Sequence, residues 1–262
     1  MMGIINATPD SFYAGSRFSG RDEILGQAEK MIAEGVDIID IGGQSTRPGS
    51  KSISADEELQ RVIEGVEVIH QNFPDTIVSI DTYYSLVAEQ AVRKGASMVN
   101  DISAGSMDKE MVSTVARLNV PYVAMHMKGT PESMQQEANY TNVTREVLDF
   151  FIQKKSECKK AGIHDIIFDP GFGFAKTIEH NFELLRNISV FKMLDAPILV
   201  GISRKSSVYK TLGVDKEDAL NGTTVLNTMA VMNGANILRV HDVKEAKEIV
   251  KLYSRVVAKE VP

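Results

Sequence analysis

Short β-branched runs alternate with longer stretches of helical period along the whole chain. The runs are GIIN from Gly3, VDIIDIG from Val36, IVSID from Ile77, SMVNDI from Ser97, YVAMH from Tyr122, DIIFD from Asp165, PILVG from Pro197 and NILRV from Asn236. Each is brief and almost continuously apolar, as a strand covered on both faces must be, and an amphipathic stretch follows each one. After the second run, Ser54 with Glu57 three residues on reads as a capping box, and Leu59, Val62, Ile63, Val66 and Ile69 form one apolar stripe. Gly35, Gly95, Gly162 and Gly234 close helical patterns just before the next strand, where positive φ ends a helix cheaply. No low-complexity linker interrupts the series, so one domain is expected over residues 1–262. Eight βα units with right-handed crossovers place the helices outside and remove both sheet edges on closure, which predicts a (β/α)8 TIM barrel. A doubly wound open sheet would carry G-x-G-x-x-G after its first strand; GFGFAK at Gly171–Lys176 is only a superficial echo of it.

In such a barrel the ligand site lies at the C-terminal ends of the strands. Those ends offer Asn6, Asp40, Asp81, Asn100 with Asp101, His126, Asp169, Ser203 to Lys205, and Arg239 with His241. Any one of them could be a helix cap or a satisfied core group. Together they cannot be, because unpartnered carboxylates cost several kcal/mol to desolvate, so the set predicts a polar ligand. Asp81, Asn100 and Asp169 present acceptors and donors suited to the edge of a flat heterocycle. Arg239 and His241 are two apart, hence on one side of their strand, and suit a phosphate that Asn6 could assist or whose metal it could hold. The second run opens into GGQSTRPGS, where a core has no use for Arg47. Neither H-E-x-x-H nor paired C-x-x-C occurs, so a permanent transition metal is not expected, whereas Mg2+ arriving with a polyphosphate is compatible.

Composition narrows the class further. With 43% hydrophobic and 24% charged residues in 262, the chain can bury a large core. No apolar run reaches the length of a membrane span and the N-terminus lacks the parts of a signal peptide, so a cytoplasmic protein with no membrane partner is expected. The single Cys158, in KKSECKKAG, cannot form an internal disulfide and reads as a structural thiol. A net charge of −6 opposes nonspecific nucleic-acid binding.

Eight segments in order resemble the motif series of the dihydropteroate synthase family of pterin-binding barrels. They are MGIINATPDSF at 2–12, DIGGQSTRPG at 40–49, SIDT at 79–82, VNDISAG at 99–105, AMHMKGTP at 124–131, DPGFGFAK at 169–176, GISRKS at 201–206 and LRVHDV at 238–243. The resemblance implies a folate-pathway transferase that joins p-aminobenzoate to 6-hydroxymethyl-7,8-dihydropterin diphosphate and releases pyrophosphate, with Mg2+ as cofactor and a homodimer as the assembly. It implies that Asp81, Asn100, Asp169 and Lys205 hold the pterin between Ile102 and Met125. Arg239, His241 and Asn6 would serve the diphosphate and its Mg2+. Thr46, Arg47, Pro48, Phe12, Phe174 and Ser206 would surround p-aminobenzoate, with Phe12 and Pro48 setting selectivity against sulfonamide-like mimics. Catalysis would fall to Asp81, Lys205, Arg47 and Arg239. The family commonly has Glu where Gln44 stands, and this chain begins almost inside its first strand, so an N-terminal segment usual in the family is expected to be short or missing. A corrinoid-linked methyltetrahydrofolate methyltransferase shares the Asp/Asn/Asp logic but has no reason for the STRPG loop or for Lys205, Arg239 and His241. A silent pterin-binding barrel would need a broken motif. The chemistry expected is dissociative, with the pterin ring delocalising a methylene cation while Arg, His and Mg2+ neutralise pyrophosphate. The loops after the first two strands are rich in Gly and Ser, so binding is expected to be ordered, pterin diphosphate first.

Overall fold

The computed structural model describes residues 1–7, 20–47 and 49–258. Among them the chain alternates strand and helix in the order β1 (Met2–Asn6), α1 (Gly20–Ala33), β2 (Ile38–Gly42), α2 (Ala55–Asn72), β3 (Ile77–Asp81), α3 (Ser85–Arg93), β4 (Met98–Asp101) and α4 (Met111–Leu118). It continues through β5 (Tyr122–Met125), α5 (Val143–Ala161), β6 (Ile166–Asp169), α6 (Ile178–Arg186), a 3-10 turn at Ile188–Leu194, β7 (Leu199–Val200), α7 (Ser206–Leu212), α8 (Leu220–Asn233), β8 (Ile237–Val240) and α9 (Val243–Val257). All strand pairs are parallel and run in the order β6-β5-β4-β3-β2-β1-β8-β7. A bridge from Phe168 to Ile198, with the Phe168 N–H donating to the Pro197 carbonyl at 3.0 Å, brings β6 beside β7 and nearly closes the ring. The expected (β/α)8 barrel is the fold.

Strand alternation divides the core into two layers. One set of side chains points inward: Met2, Ile38, Met98, Val123, Ile167 and Leu199, with Ile237 against them, form an apolar plug low in the barrel. The alternate set, including Ile39, Ile41, Val78, Ile80, Val99, Phe168 and Val200, packs outward against helices through residues such as Val62, Val66 and Ile69. The stripe expected on α2 is therefore the buried one, although Leu59 and Ile63 lie at its margin. Glu58 is buried on the same helix.

Local punctuation largely follows the sequence. Gly35, Gly95, Gly162 and Gly234 all have positive φ. The Ser54 side chain accepts from the Glu57 N–H, which is half of the expected capping box; the Glu57 carboxylate instead takes Arg61 at 2.5 Å. The seventh unit departs from the simple repeat. Its strand has two residues, bounded by Pro197, which lacks a donor, and Gly201, and it is followed by two helices rather than one. The second of these, α8, is not amphipathic: Val225, Met229 and Met232 are exposed on it.

Candidate active site

The parity that builds the plug also builds the site above it. Residues two apart on a strand share a side, so the inward positions next above the plug residues Ile38, Met98, Val123, Ile167, Leu199 and Ile237 are Asp40, Asn100, Met125, Asp169, Gly201 and Arg239. Register joins them, since Asp81 pairs with Asn100 and with Gly42, and Met125 pairs with Asp169. Gly42 leaves room for Asp81: a Cβ there would sit 3.2 Å from the Asp81 Cβ.

Arg239 stands at the centre of this floor. Its Nε donates to Asp40 Oδ2 and its Nη2 to Asp81 Oδ2, both at 2.6 Å, and Asn100 Nδ2 donates to the same Asp40 oxygen at 3.0 Å. Asp40 is fully buried and its other oxygen, Oδ1, has no partner among the described residues. Burial pushes the Asp81 carboxyl up against the pull of Arg239, and the charges of Asp40, Asp101 and Asp169 push the same way. Asp169 is likewise raised, by burial first, while Lys205 and the Gly171 N–H, which donates to Oδ1 at 2.7 Å, oppose the rise. Lys205 donates to the Phe172 carbonyl, lies 4.6 Å from the Phe174 ring centroid, and has its ammonium pushed down to about 8 by burial, with Asp169 pulling it back. The expected apolar walls also meet: Ile102 and Met125 cluster with Tyr83, and Phe174 packs against them.

At the rim, Ser203 and His241 Nδ1 are 3.0 Å apart, and the His241 backbone N–H donates to the same hydroxyl at 3.2 Å. Burial, then Arg239 and Lys216, hold the imidazole below its usual range. With the hydroxyl donating to Nδ1, a neutral ring carries its N–H on Nε2. Arg239 and His241 share one side of β8, the guanidinium turned inward to two carboxylates and the imidazole set against Ser203. Asn6 is exposed at the end of β1, whose Met2 and Gly3 pair with Arg239 and Val240 of β8. Among the described residues no group of three His, Cys, Asp or Glu could cage a metal ion. The single exposed amide of Asn6 can offer one oxygen to a cation but cannot cage one by itself.

The loop after β2 is placed differently. Thr46 is half-buried, Arg47 is exposed, and Ser206 begins α7 half-buried. The Gly49 N–H donates to the Pro131 carbonyl at 3.0 Å, and Arg47 is close enough to Lys216 to depress that ammonium, second to burial. Phe12 and Pro48 lie outside the described residues.

Two polar strand ends are not part of the floor. Asp101, next to inward Asn100, points outward and takes the Ser103 N–H at 2.7 Å, the Gly105 N–H at 2.6 Å and the Tyr122 hydroxyl at 2.7 Å. His126 is buried against Phe150 and Tyr140, its ring pushed down to about 2 by burial and by Lys176 and Lys128. It bonds Lys176, whose Nζ lies 3.0 Å from His126 Nδ1 and donates to the Phe174 carbonyl at 3.0 Å. Sequence reasoning put Asp40 among the strand ends without a role. The signal was available, because Asp40 shares the side of Gly42, which pairs with Asp81.

This geometry defines a class: a barrel with carboxylates, an amide and two cations converging on one polar floor at the C-terminal ends of its strands. The family model described as "Pterin binding enzyme" matches residues 2–241. The dihydropteroate synthase of Haemophilus influenzae is 40% identical over 225 residues, which cover 85% of this chain and 81% of that protein. The structure of Xanthomonas albilineans dihydropteroate synthase with 4-aminobenzoic acid superposes with a TM-score of 0.92 at 35% identity, covering 98% of this chain and 93% of that one. The same enzyme in complex with 7,8-dihydropteroate gives a TM-score of 0.89 at 32% identity with the same coverage. The chain belongs to the pterin-binding enzyme family. Within it, the chain is an enzyme of the dihydropteroate synthase kind, a transferase of folate synthesis.

Proposed function

We propose how this chain's residues divide the reaction between 6-hydroxymethyl-7,8-dihydropterin diphosphate and p-aminobenzoate. The observation that carries the reading is the inward floor of Asp81, Asn100 and Asp169, edged by Lys205 and neutralised by Arg239. Asp169 and Asn100 read the polar edge of the pterin, Met125 and Ile102 cover its faces, and Lys205 bonds its ring carbonyl side. Arg239 keeps N–H groups beyond those given to Asp40 and Asp81, and these, with the Nε2–H of His241, face the diphosphate. Asn6 would offer its side-chain oxygen to a Mg2+ bound with that diphosphate, and the cation would supply charge neutralisation for the leaving pyrophosphate. Thr46, Arg47, Phe174 and Ser206 receive p-aminobenzoate, with Arg47 opposite its carboxylate.

The reaction runs dissociatively. The methylene carbon–oxygen bond breaks, pyrophosphate leaves with the electron pair, and the electron-rich ring spreads the resulting charge. Asp81 gains anionic character as that cation develops, since nearby positive charge favours the carboxylate. The aromatic amine then attacks with its lone pair and loses a proton to solvent, so orientation matters more than a general base. Oxygen-18 placed in the carbon–oxygen–phosphorus bridge tests the order of events. Scrambling into non-bridging positions of recovered substrate, with an unreactive benzoate analogue present, is expected; retention of label under turnover conditions would require concerted displacement. Pyrophosphate release measured with and without p-aminobenzoate tests the transferase reading itself.

A second copy of the chain fits the exposed face of α8. Met232 is 66% exposed there, beside Met229 and Val225, and Leu212 at the end of α7 adds to the apolar surface. Sedimentation is expected to give a dimer that Met229→Glu with Met232→Glu converts to monomer. Among the described residues no helix is long and apolar enough to cross a membrane, and cytoplasmic residence accords with that.

A further inference from the structure

Glu58 is a carboxyl on α2 with no exposed surface. Its Oε2 accepts from Gln44 Nε2 at 3.0 Å and from Thr82 Oγ1 at 2.9 Å, and Gln44 Oε1 in turn accepts from the Tyr83 hydroxyl at 2.8 Å. Thr82 and Tyr83 follow Asp81 directly, and Gln44 stands two residues before Thr46. One buried carboxyl thus links the end of β3, on the pterin side, to the root of the loop after β2. The packing is close: a Cβ on Gly43 would lie 2.8 Å from Val62 Cγ1 and 2.9 Å from Glu58 Cγ. Arg61, one turn further along α2, donates to the Gly43 carbonyl at 3.0 Å and braces the same root.

We propose that Glu58 is a positioning residue for the second substrate, acting through Gln44 to fix the Thr46–Arg47 segment against the end of β3. This rests on the reading that Thr46 and Arg47 receive p-aminobenzoate. The protonation state follows from the surroundings. Asp81 and Tyr83 face Glu58 from the end of β3, Arg61 on its own helix turns to the Gly43 carbonyl, and the loop root contributes only the uncharged Gln44 amide and the Gly43 backbone. Burial first, then Asp81, push the carboxyl up to about 8, against the bonds from Thr82, Gln44 and Gly43. Near pH 7 Glu58 is the neutral acid, and Oε1, without a partner among the described residues, is the oxygen free to carry the proton. Loss of that proton strengthens the bonds from Gln44 and Thr82 but places a second negative charge near Asp81 out of reach of water, a cost relieved when the loop root opens to solvent and the Thr46–Arg47 segment shifts.

The test uses the full-length enzyme and three variants, with KM for each substrate and kcat followed from pH 6.5 to 9.5. Glu58→Gln preserves a neutral group with an acceptor for Gln44 and Thr82; Glu58→Met keeps the volume and removes the acceptors. The wild type is expected to show KM for p-aminobenzoate rising as pH passes about 8. In Glu58→Gln that rise should vanish while KM at pH 7 stays at the wild-type value. Glu58→Met should raise the same KM roughly tenfold at every pH and change calorimetric affinity for the pterin diphosphate less than about twofold. Titrations of Asp81 and Lys205 are common to wild type and Glu58→Gln, so the difference isolates Glu58. An unchanged pH rise in Glu58→Gln overturns the proposal even if Glu58→Met does not fold. Equal weakening of both substrates in Glu58→Met also overturns it, since that is what a general packing defect gives. Arg47→Ala separates the two readings. An unaltered KM for p-aminobenzoate there rejects the benzoate assignment, whereas a raised KM in Arg47→Ala with none in Glu58→Met rejects the Glu58 inference alone.

Discussion

The floor of the barrel and the loop that follows β2 are built from opposite materials. On the floor, Asp40, Asp81, Asn100 and Arg239 bond one another, and Asp169 and Lys205 are held by backbone groups of the loop after β6. In the loop, Arg47 is exposed and the bonds around it are local, with the Ser45 and Ser50 hydroxyls 2.9 Å apart and the Ser50 N–H donating to the Arg47 carbonyl at 3.0 Å; the ties to the rest of the barrel run through Gln44, Gly49 and Ile53. A binding surface whose polar groups are already satisfied loses little freedom when a ligand arrives, whereas an exposed side chain must be ordered at that moment. On the proposed assignment of residues, the pterin side would be preformed and the benzoate side completed late, which is the physical basis on which we propose that pterin diphosphate binds first.

The largest effect expected on this contrast comes from removing its central cation. Arg239→Ala leaves Asp40 and Asp81 buried without their counter-charge, a loss of about 3 to 5 kcal/mol in urea unfolding. It should also weaken the diphosphate far more than bare hydroxymethyl pterin; equal weakening of the two would remove Arg239 from the anion site. Asp169→Asn replaces a charged acceptor with an amide that can present a donor to the same ring N–H groups. Calorimetry should show a loss of about 2 to 4 kcal/mol in pterin affinity with the fold intact. Near wild-type affinity would end that assignment.

A smaller effect concerns pH. Glu58 has its folded-state carboxyl raised from 4.5 to about 8, so the folded protein holds a proton that the unfolded chain has released. Its contribution is complete below about 4.5 and is lost as pH rises through about 8. The urea midpoint of the wild type should fall over that window, and Glu58→Gln should remove this component of the fall. The finest test is proteolytic. Lys51 is exposed within the loop between β2 and α2, so trypsin should cut there readily in the free enzyme and slowly only with pyrophosphate, Mg2+ and p-aminobenzoate together. Full protection by p-aminobenzoate alone would mean its pocket is preformed and the two regions do not differ in kind.

What the sequence determined by itself was periodic and local. Eight β-rich runs separated by helical stretches, with glycines closing the helical patterns, favour a barrel over a doubly wound sheet, because closure covers both faces of the short parallel strands and also removes the two edges. Polar residues at the strand ends, together with the ordered motifs, carried the reading to a pterin-binding transferase. Tertiary structure alone decided which of those residues meet. Period two assigns neighbours to opposite faces, but only closure of the ring makes one face the interior, which keeps Asn100 on the floor and sends Asp101 outward to Tyr122. The fold likewise turned Arg239 onto Asp40 and Asp81 across 199 and 158 residues of sequence. It also buried Glu58, which by composition reads as one more acidic residue in the first turn of a helix. Charge pairing across a barrel depends on distances that no local pattern encodes, so those three facts could be read only once the ring was closed.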